Sequence, residues 1–165
     1  LPLGSLVFMA CSLAGMALLL LAAERLASHT RSLESIQAKD ALLIGLAQAA
    51  AVIPGVSRSG STITAGLALG LDRPAAARFS FLLSAPIIAG AGAKSLFDLA
   101  DQLKNGAMGS QDLMLFAVGM ATAAVTGFLT IRFLLVYLQK RSTRVFAWYR
   151  IALALLILVV ALVRR

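Results

Sequence analysis

The chain has 165 residues, of which 60% are hydrophobic and only 13% charged, and its formal net charge is +8. An average soluble domain carries roughly 25% charged residues, so water is not the solvent for this composition. The excess of Lys and Arg does not imply nucleic acid, because those residues sit at the ends of apolar runs instead of along one polar face.

Leu1, not methionine, begins the chain, which enters an apolar run at once and therefore reads as lacking an N-terminal portion. Residues 3–23 form the first run. It has no basic leader and comparable runs follow it, so it is a membrane span and not a signal peptide. Cys11, inside this run, is the single cysteine and allows neither a disulfide framework nor a cysteine-rich metal site. His29 is the single histidine and lies in a polar connection with Arg25, Arg31 and Glu34, where it reads as a solvated loop residue.

Residues 41–71 behave differently. Two apolar halves flank a polar centre, Pro54 to Thr62, and residues 41–53 rise only about 20 Å as a helix, too little for a hydrocarbon core of about 30 Å. The return, 61–71, is shorter still. A re-entrant helical hairpin fits both lengths. Three further runs, 74–97, 113–138 and 145–163, are long enough to cross. The chain is thus predicted to be all-α and polytopic, a single integral membrane domain over 1–165 with four transmembrane helices and one re-entrant hairpin.

The distribution of Lys and Arg favours the hairpin over a single broken crossing. With the hairpin, Arg25, Arg31, Lys39, Arg73, Arg78, Lys140, Arg141 and Arg144 share one side, and a loop carrying Asp98, Asp101, Lys104 and Asp112 lies on the other. Arg164 and Arg165 fall on the wrong side of this scheme, and Arg132 within the third long run has to snorkel. Trp148 and Tyr149 are suited to the headgroup level.

Arg58 is the candidate functional residue, because its surroundings are otherwise nearly uncharged. An arginine at the bilayer centre costs roughly 2.5 to 3.5 kcal/mol on insertion scales, so it requires a partner or a wet cavity. Its planar fork suits phosphate oxygens. Pro54 and Gly55 break the incoming helix, and Ser57 to Thr62 can open the outgoing one with hydroxyl caps and unpaired N–H groups, a geometry that attracts phosphate. The bland alternative is a Pro-Gly kink with a snorkelling arginine. Gln48, about a turn earlier, reads as an interhelical hydrogen-bonding amide and not as a catalytic group.

The run Leu43 to Gln48, then Pro54-Gly55-Val56-Ser57-Arg58-Ser59-Gly60-Ser61-Thr62-Ile63, then Arg78-Phe79-Ser80-Phe81-Leu82-Leu83, and finally Phe146-Ala147-Trp148-Tyr149-Arg150, resembles the bacitracin-resistance family of undecaprenyl-diphosphate phosphatases. The resemblance implies an inverted-repeat fold with two re-entrant hairpins, in a multi-pass protein of the bacterial inner membrane. It implies hydrolysis of undecaprenyl diphosphate to the monophosphate carrier lipid of peptidoglycan synthesis, the reaction behind bacitracin resistance. By the same resemblance Arg58 and Ser57 are catalytic, Ser57, Arg58, Ser59, Gly60 and Thr62 bind the pyrophosphate, and Gly60 lets backbone approach it closely. A divalent metal, Mg²⁺ or Ca²⁺, is implied too. The family's glutamate-pair motif is absent from this stretch, so the metal ligands are expected in the missing N-terminal part, none of them here, and the 165 residues alone are expected to be inactive. Partners are then an isoprenyl diphosphate lipid and membrane lipids, no nucleic acid, with a homodimer left open. The competing readings are a transporter or flippase half that binds an anion at its broken helix, and a non-catalytic membrane scaffold.

Overall fold

A computed structural model describes residues 3–106 and 109–163. Six α-helices follow one another: α1 Leu3–Leu26, α2 Ala38–Ala49, α3 Arg58–Ala68, α4 Arg73–Lys104, α5 Ser110–Lys140 and α6 Arg144–Val163. Short 3-10 turns occupy Leu33–Ser35 and Ala50–Val52. Among the described residues the only β pairing is an isolated parallel bridge between Arg31 and Leu71. Helices α1, α4, α5 and α6 are long and apolar enough to cross a membrane. The protein is an all-α polytopic membrane protein, as its composition requires. Arg164 and Arg165 lie outside the described residues.

Two compact units can be separated: one takes the chain up to Phe81 together with the part from Leu138 onward, the other is Leu82–Tyr137. In the first, α1 packs along α6 and against α3, and α2 packs against α3. Small residues make these contacts close. Ala10, Ala17, Ala147, Ala154 and Ala161 are all buried, which lets α1 and α6 approach at backbone distance.

Helices α2 and α3 are the two short halves anticipated around residues 41–71, and Arg31 shows that they return to one end. Its guanidinium donates to the Leu69 carbonyl at the end of α3 (3.0 Å) and to both carboxylate oxygens of Asp40 near the start of α2 (3.3 and 2.5 Å). Asp40 in turn accepts the Gln37 N–H at 3.0 Å, one half of a capping box. The Arg31 hydrogen bond first, and the Gln37 N–H second, hold the Asp40 carboxyl below its ordinary pKa. Helix α3 ends in a Schellman motif: Gly70, at φ +86°, donates to Leu67 O (2.8 Å), and Leu71 donates to Gly66 O (3.1 Å).

A second polar knot lies at the ends of three further elements. Glu24, in the last turn of α1, has a side chain shut off from solvent. It accepts from Arg73 Nε at the start of α4 (2.7 Å) and from the Thr143 hydroxyl just before α6 (2.7 Å). His29, expected to be a solvated loop residue, is half-buried; it takes a left-handed backbone conformation (φ 53°), and its Nε2 lies 2.9 Å from Glu24 O, at the C-terminal end of α1. The opposite end of the hairpin meets the N-terminal half of α1. A Cβ on Gly55 would stand 2.5 Å from Met9 O and 3.1 Å from the Ser12 Cβ. Met9 lies about 25 Å along α1 from Leu26, at 1.5 Å per residue, so the break sits well within the length of a spanning helix.

The second unit contains the later part of α4 and most of α5. Asp98, Asp101 and Lys104 belong to α4 and not to a loop, because nothing breaks the helix before Gly106. Pro86 lies inside α4 and leaves the carbonyl of Leu82 without its usual helical donor. In α5 the hydroxyls of Thr122, Thr126 and Thr130 donate to the carbonyls four residues back, at 2.7 to 2.8 Å. This keeps three exposed polar groups satisfied in hydrocarbon.

Glu24→Ala is expected to lower stability by about 2 to 3 kcal/mol, since it leaves Arg73 and Thr143 without their buried acceptor; thermal melting in detergent measures it. Gly55→Ala is expected to cost about 3 kcal/mol, from an alanine held at φ +91° and forced onto Met9 O, and to show as a lower melting temperature with faster proteolysis between α2 and α3. The Arg31 to Asp40 contribution is present above the ordinary aspartate pKa of about 3.9 and is lost as pH falls through the depressed folded value. The melting temperatures of the wild type and Asp40→Asn should therefore differ by a constant amount above about pH 5 and converge below about pH 4.

Candidate functional site

The break between α2 and α3 is built by local chemistry. Val56 N–H donates to Ile53 O at 3.0 Å, with Pro54 and Gly55 in the two central positions and Gly55 at φ +91°. This is a type II turn, for which proline first and glycine second are the favoured pair. Ser57 then takes an extended conformation (φ −79°, ψ 130°) and caps α3, its Oγ accepting the Gly60 N–H at 3.2 Å. Ser61 N–H closes the first helical turn onto Ser57 O at 2.9 Å. The N–H groups of Arg58 and Ser59 precede that bond and have no acceptor within the helix, so they face outward along the positive end of its dipole.

The side chains of the loop divide into two sets. Arg58 and Ser59 are exposed and Ser57 is half-buried, with the Ser57 and Ser59 hydroxyls 3.5 Å apart. Among the described residues, no carboxylate forms an ion pair with Arg58. Thr62 and Ser61 are buried. The Thr62 hydroxyl contacts the carbonyls of Arg58 and Ser59 (both 3.1 Å) and lies 2.6 Å from Ser80 Oγ, a side chain of α4 that is also buried. Ser61 Oγ donates to Arg58 O at 2.9 Å. The structure thus gathers Ser57, Arg58 and Ser59 at an open mouth and sets Thr62 behind it, where it fastens α3 to α4.

Gly60 is buried, and the space its side chain would take is filled. A Cβ there would fall on Arg150 Nη1, with Nη2 at 2.6 Å and Cζ at 2.8 Å. Arg150, six residues into α6, therefore presses its guanidinium against the first turn of α3, and its Nη1 is buried without a hydrogen-bond partner. Sequence reasoning passed over this residue. The available signal was a charge inside a run long enough to span, which is expensive unless it faces a partner or a cavity. Gln48, about a turn before the break, also has a buried and unpartnered Oε1.

Two clefts of the first unit, of about 300 and 230 Å³, lie elsewhere: one is lined by Leu19, Leu26 and Thr64 among others, the other by Glu34, Asp72 and Arg78 among others. Residues 54–62 line neither of these two clefts. The loop's ligand set does not suit a divalent cation. Mg²⁺ and Ca²⁺ take carboxylate and carbonyl oxygens, whereas the mouth presents hydroxyls, N–H groups and a guanidinium. Among the described residues no group of three or more His, Cys, Asp or Glu side chains comes together. What this arrangement can do chemically is neutralise and orient an anion that has several oxygens.

Comparison with known proteins identifies the family. Residues 2–156 match the family described as bacitracin resistance protein BacA. A protein of Thermomicrobium roseum named undecaprenyl-diphosphatase is 50% identical over 156 residues, covering 94% of this chain and 55% of its own. Proteins of the same name from Rubrobacter xylanophilus and Anaeromyxobacter sp. strain K are 51% and 52% identical, covering 88% and 86% of this chain and 52% and 47% of their own. The chain spans about half the length of the curated relatives it matches. With a match over nearly all of its residues, including the broken hairpin and its Ser57-Arg58-Ser59-Gly60 turn, the chain belongs to the bacitracin-resistance BacA family.

Proposed function

We propose that this chain supplies the diphosphate-binding half of an undecaprenyl-diphosphatase, which hydrolyses undecaprenyl diphosphate to undecaprenyl phosphate and inorganic phosphate in the bacterial inner membrane. The reaction returns the carrier lipid to peptidoglycan synthesis and removes the diphosphate lipid, which accounts for a role in bacitracin resistance. The observation that carries the reading is the start of α3: a capped helix N-terminus in which Arg58, free of any ion pair among the described residues, stands beside two serine hydroxyls.

Phosphoryl transfer needs charge neutralisation, positioning and an activated nucleophile. In this reading Arg58 takes a phosphate in two-point contact and stabilises the charge that gathers on the bridging oxygen as the anhydride bond breaks. Ser57 and Ser59 donate hydrogen bonds, and the N–H groups of Arg58 and Ser59 hold the remaining oxygens at the positive end of the helix. Thr62 acts from behind by keeping the turn in register with Ser80. Glu24 and Asp40 are engaged in the polar knots described above, so no general base and no step through a metal is assigned to this chain. The contact of Gly55 with α1, a helix long enough to span, supports a site within reach of the diphosphate of a membrane-bound isoprenoid.

Phosphate release from undecaprenyl diphosphate, measured in detergent with Mg²⁺ or Ca²⁺ on the intact protein that carries this chain, tests the proposal. Arg58→Ala should lower kcat/KM by about 100-fold, the equivalent of about 2.7 kcal/mol in transition-state stabilisation, with an unchanged melting temperature. Release that survives the substitution, or no release from a folded wild type, overturns it; the latter result would favour anion translocation.

A further inference from the structure

The space that a side chain at Gly60 would take is held by an arginine. The Cβ position of Gly60 coincides with the Arg150 guanidinium, and a side chain of any size there would displace it. Arg150 reaches this point from α6, a helix far away in sequence, and arrives with Nη1 buried and lacking an acceptor. An unpaired donor of a charged group removed from water costs more than a neutral one. The cost is offset where a ligand later supplies the acceptor, and among the described residues no protein group does so. In the same unit, the carboxylates of the two polar knots are already committed, Glu24 to Arg73 and Thr143 and Asp40 to Arg31.

We propose that Arg150, half-buried with its Nη1 shut off from solvent, is a second cation of the anion site, that Gly60 is glycine in order to seat it, and that Arg150 with exposed Arg58 selects a diphosphate over a monophosphate. The two guanidiniums attend the same helical turn, Arg58 at its open mouth and Arg150 against Gly60 two residues on. A single phosphate can satisfy one of them. A diphosphate carries a second phosphoryl group and enough charge to satisfy both, so the product of hydrolysis is held less tightly than the substrate. This inference rests on the reading of the loop as a phosphate site, and it adds the residue that discriminates between substrate and product.

The test is calorimetric titration of the intact, detergent-solubilised protein with inorganic pyrophosphate and, separately, with inorganic phosphate. The proteins compared are wild type, Arg150→Met, Arg150→Lys, Gly60→Ala and the Gly60→Ala/Arg150→Met double variant. Wild type should prefer pyrophosphate. Arg150→Met should weaken pyrophosphate binding by at least about 10-fold while changing phosphate binding by less than about 2-fold, and Arg150→Lys should recover part of the loss. Gly60→Ala, which displaces only the far end of a flexible side chain, should reproduce the Arg150→Met loss, and the double variant should be no worse than either single one. An unchanged preference in folded Arg150→Met, or additive losses in the double variant, overturns the inference; a merely structural arginine would lower the melting temperature and leave the preference intact. If Arg150→Met does not fold, Gly60→Ala and Arg150→Lys decide. Phosphate release measured in parallel separates the two claims. Release with unaltered discrimination sinks only the role of Arg150, whereas altered discrimination without any release sinks only the hydrolase reading.

Discussion

The fork of Arg31 is the interaction on which the hairpin depends. One guanidinium holds the first turn of α2 through Asp40 and the last carbonyls of α3 through Leu69, so the two short helices start and finish at a single polar end. Neither helix is long enough to cross hydrocarbon by itself. A hairpin of this kind remains inserted only if its feet are fastened and its broken tip is covered by protein. Arg31 and the Schellman turn at Gly70 do the first. The packing of Gly55 on Met9 and Ser12 of α1 covers one side of the tip, whose Pro54, Arg58 and Ser59 stay exposed.

The Glu24 knot extends the same logic to the rest of the first unit. A carboxylate with no solvent access would be costly alone, and here it receives one hydrogen bond from Arg73 and another from Thr143. The ends of α1, α4 and α6 are thereby held level, and α6 is set so that Arg150, roughly 10 Å further along it, meets the first turn of α3. The first turn of α3 and the guanidinium against it thus inherit their geometry from polar contacts further along the helices.

Within the turn, hydroxyl groups are divided by burial. Ser61 and Thr62 have no water to turn to and spend their hydrogen bonds on the carbonyls of the first turn and, for Thr62, on Ser80. Ser57 and Ser59 keep theirs close to the mouth. Pre-organisation follows from this division: the buried pair stiffens the backbone that presents the outer pair.

Much of this was legible in the residues themselves. Length and hydropathy determined four spans, and the shortness of the apolar halves around Pro54 and Gly55 determined a hairpin, because neither property depends on what the helix packs against. The Ser57 cap and the Pro-Gly turn are local and equally readable. Span ends were less so: α4 runs on to Lys104 since charged residues do not by themselves stop a helix, and the half-buried setting of His29 depends on the end of α1 folding back over it. Sequence could place Ser57, Arg58, Ser59, Gly60 and Thr62 in one turn, but not say which of their side chains are buried. Only the tertiary structure decided that Thr62 faces Ser80, that Arg58 faces outward, and that the space at Gly60 belongs to Arg150. Those outcomes depend on which helix faces arrive beside α3, and contacts between residues 18 or 90 positions apart leave no period or spacing in the chain to be read.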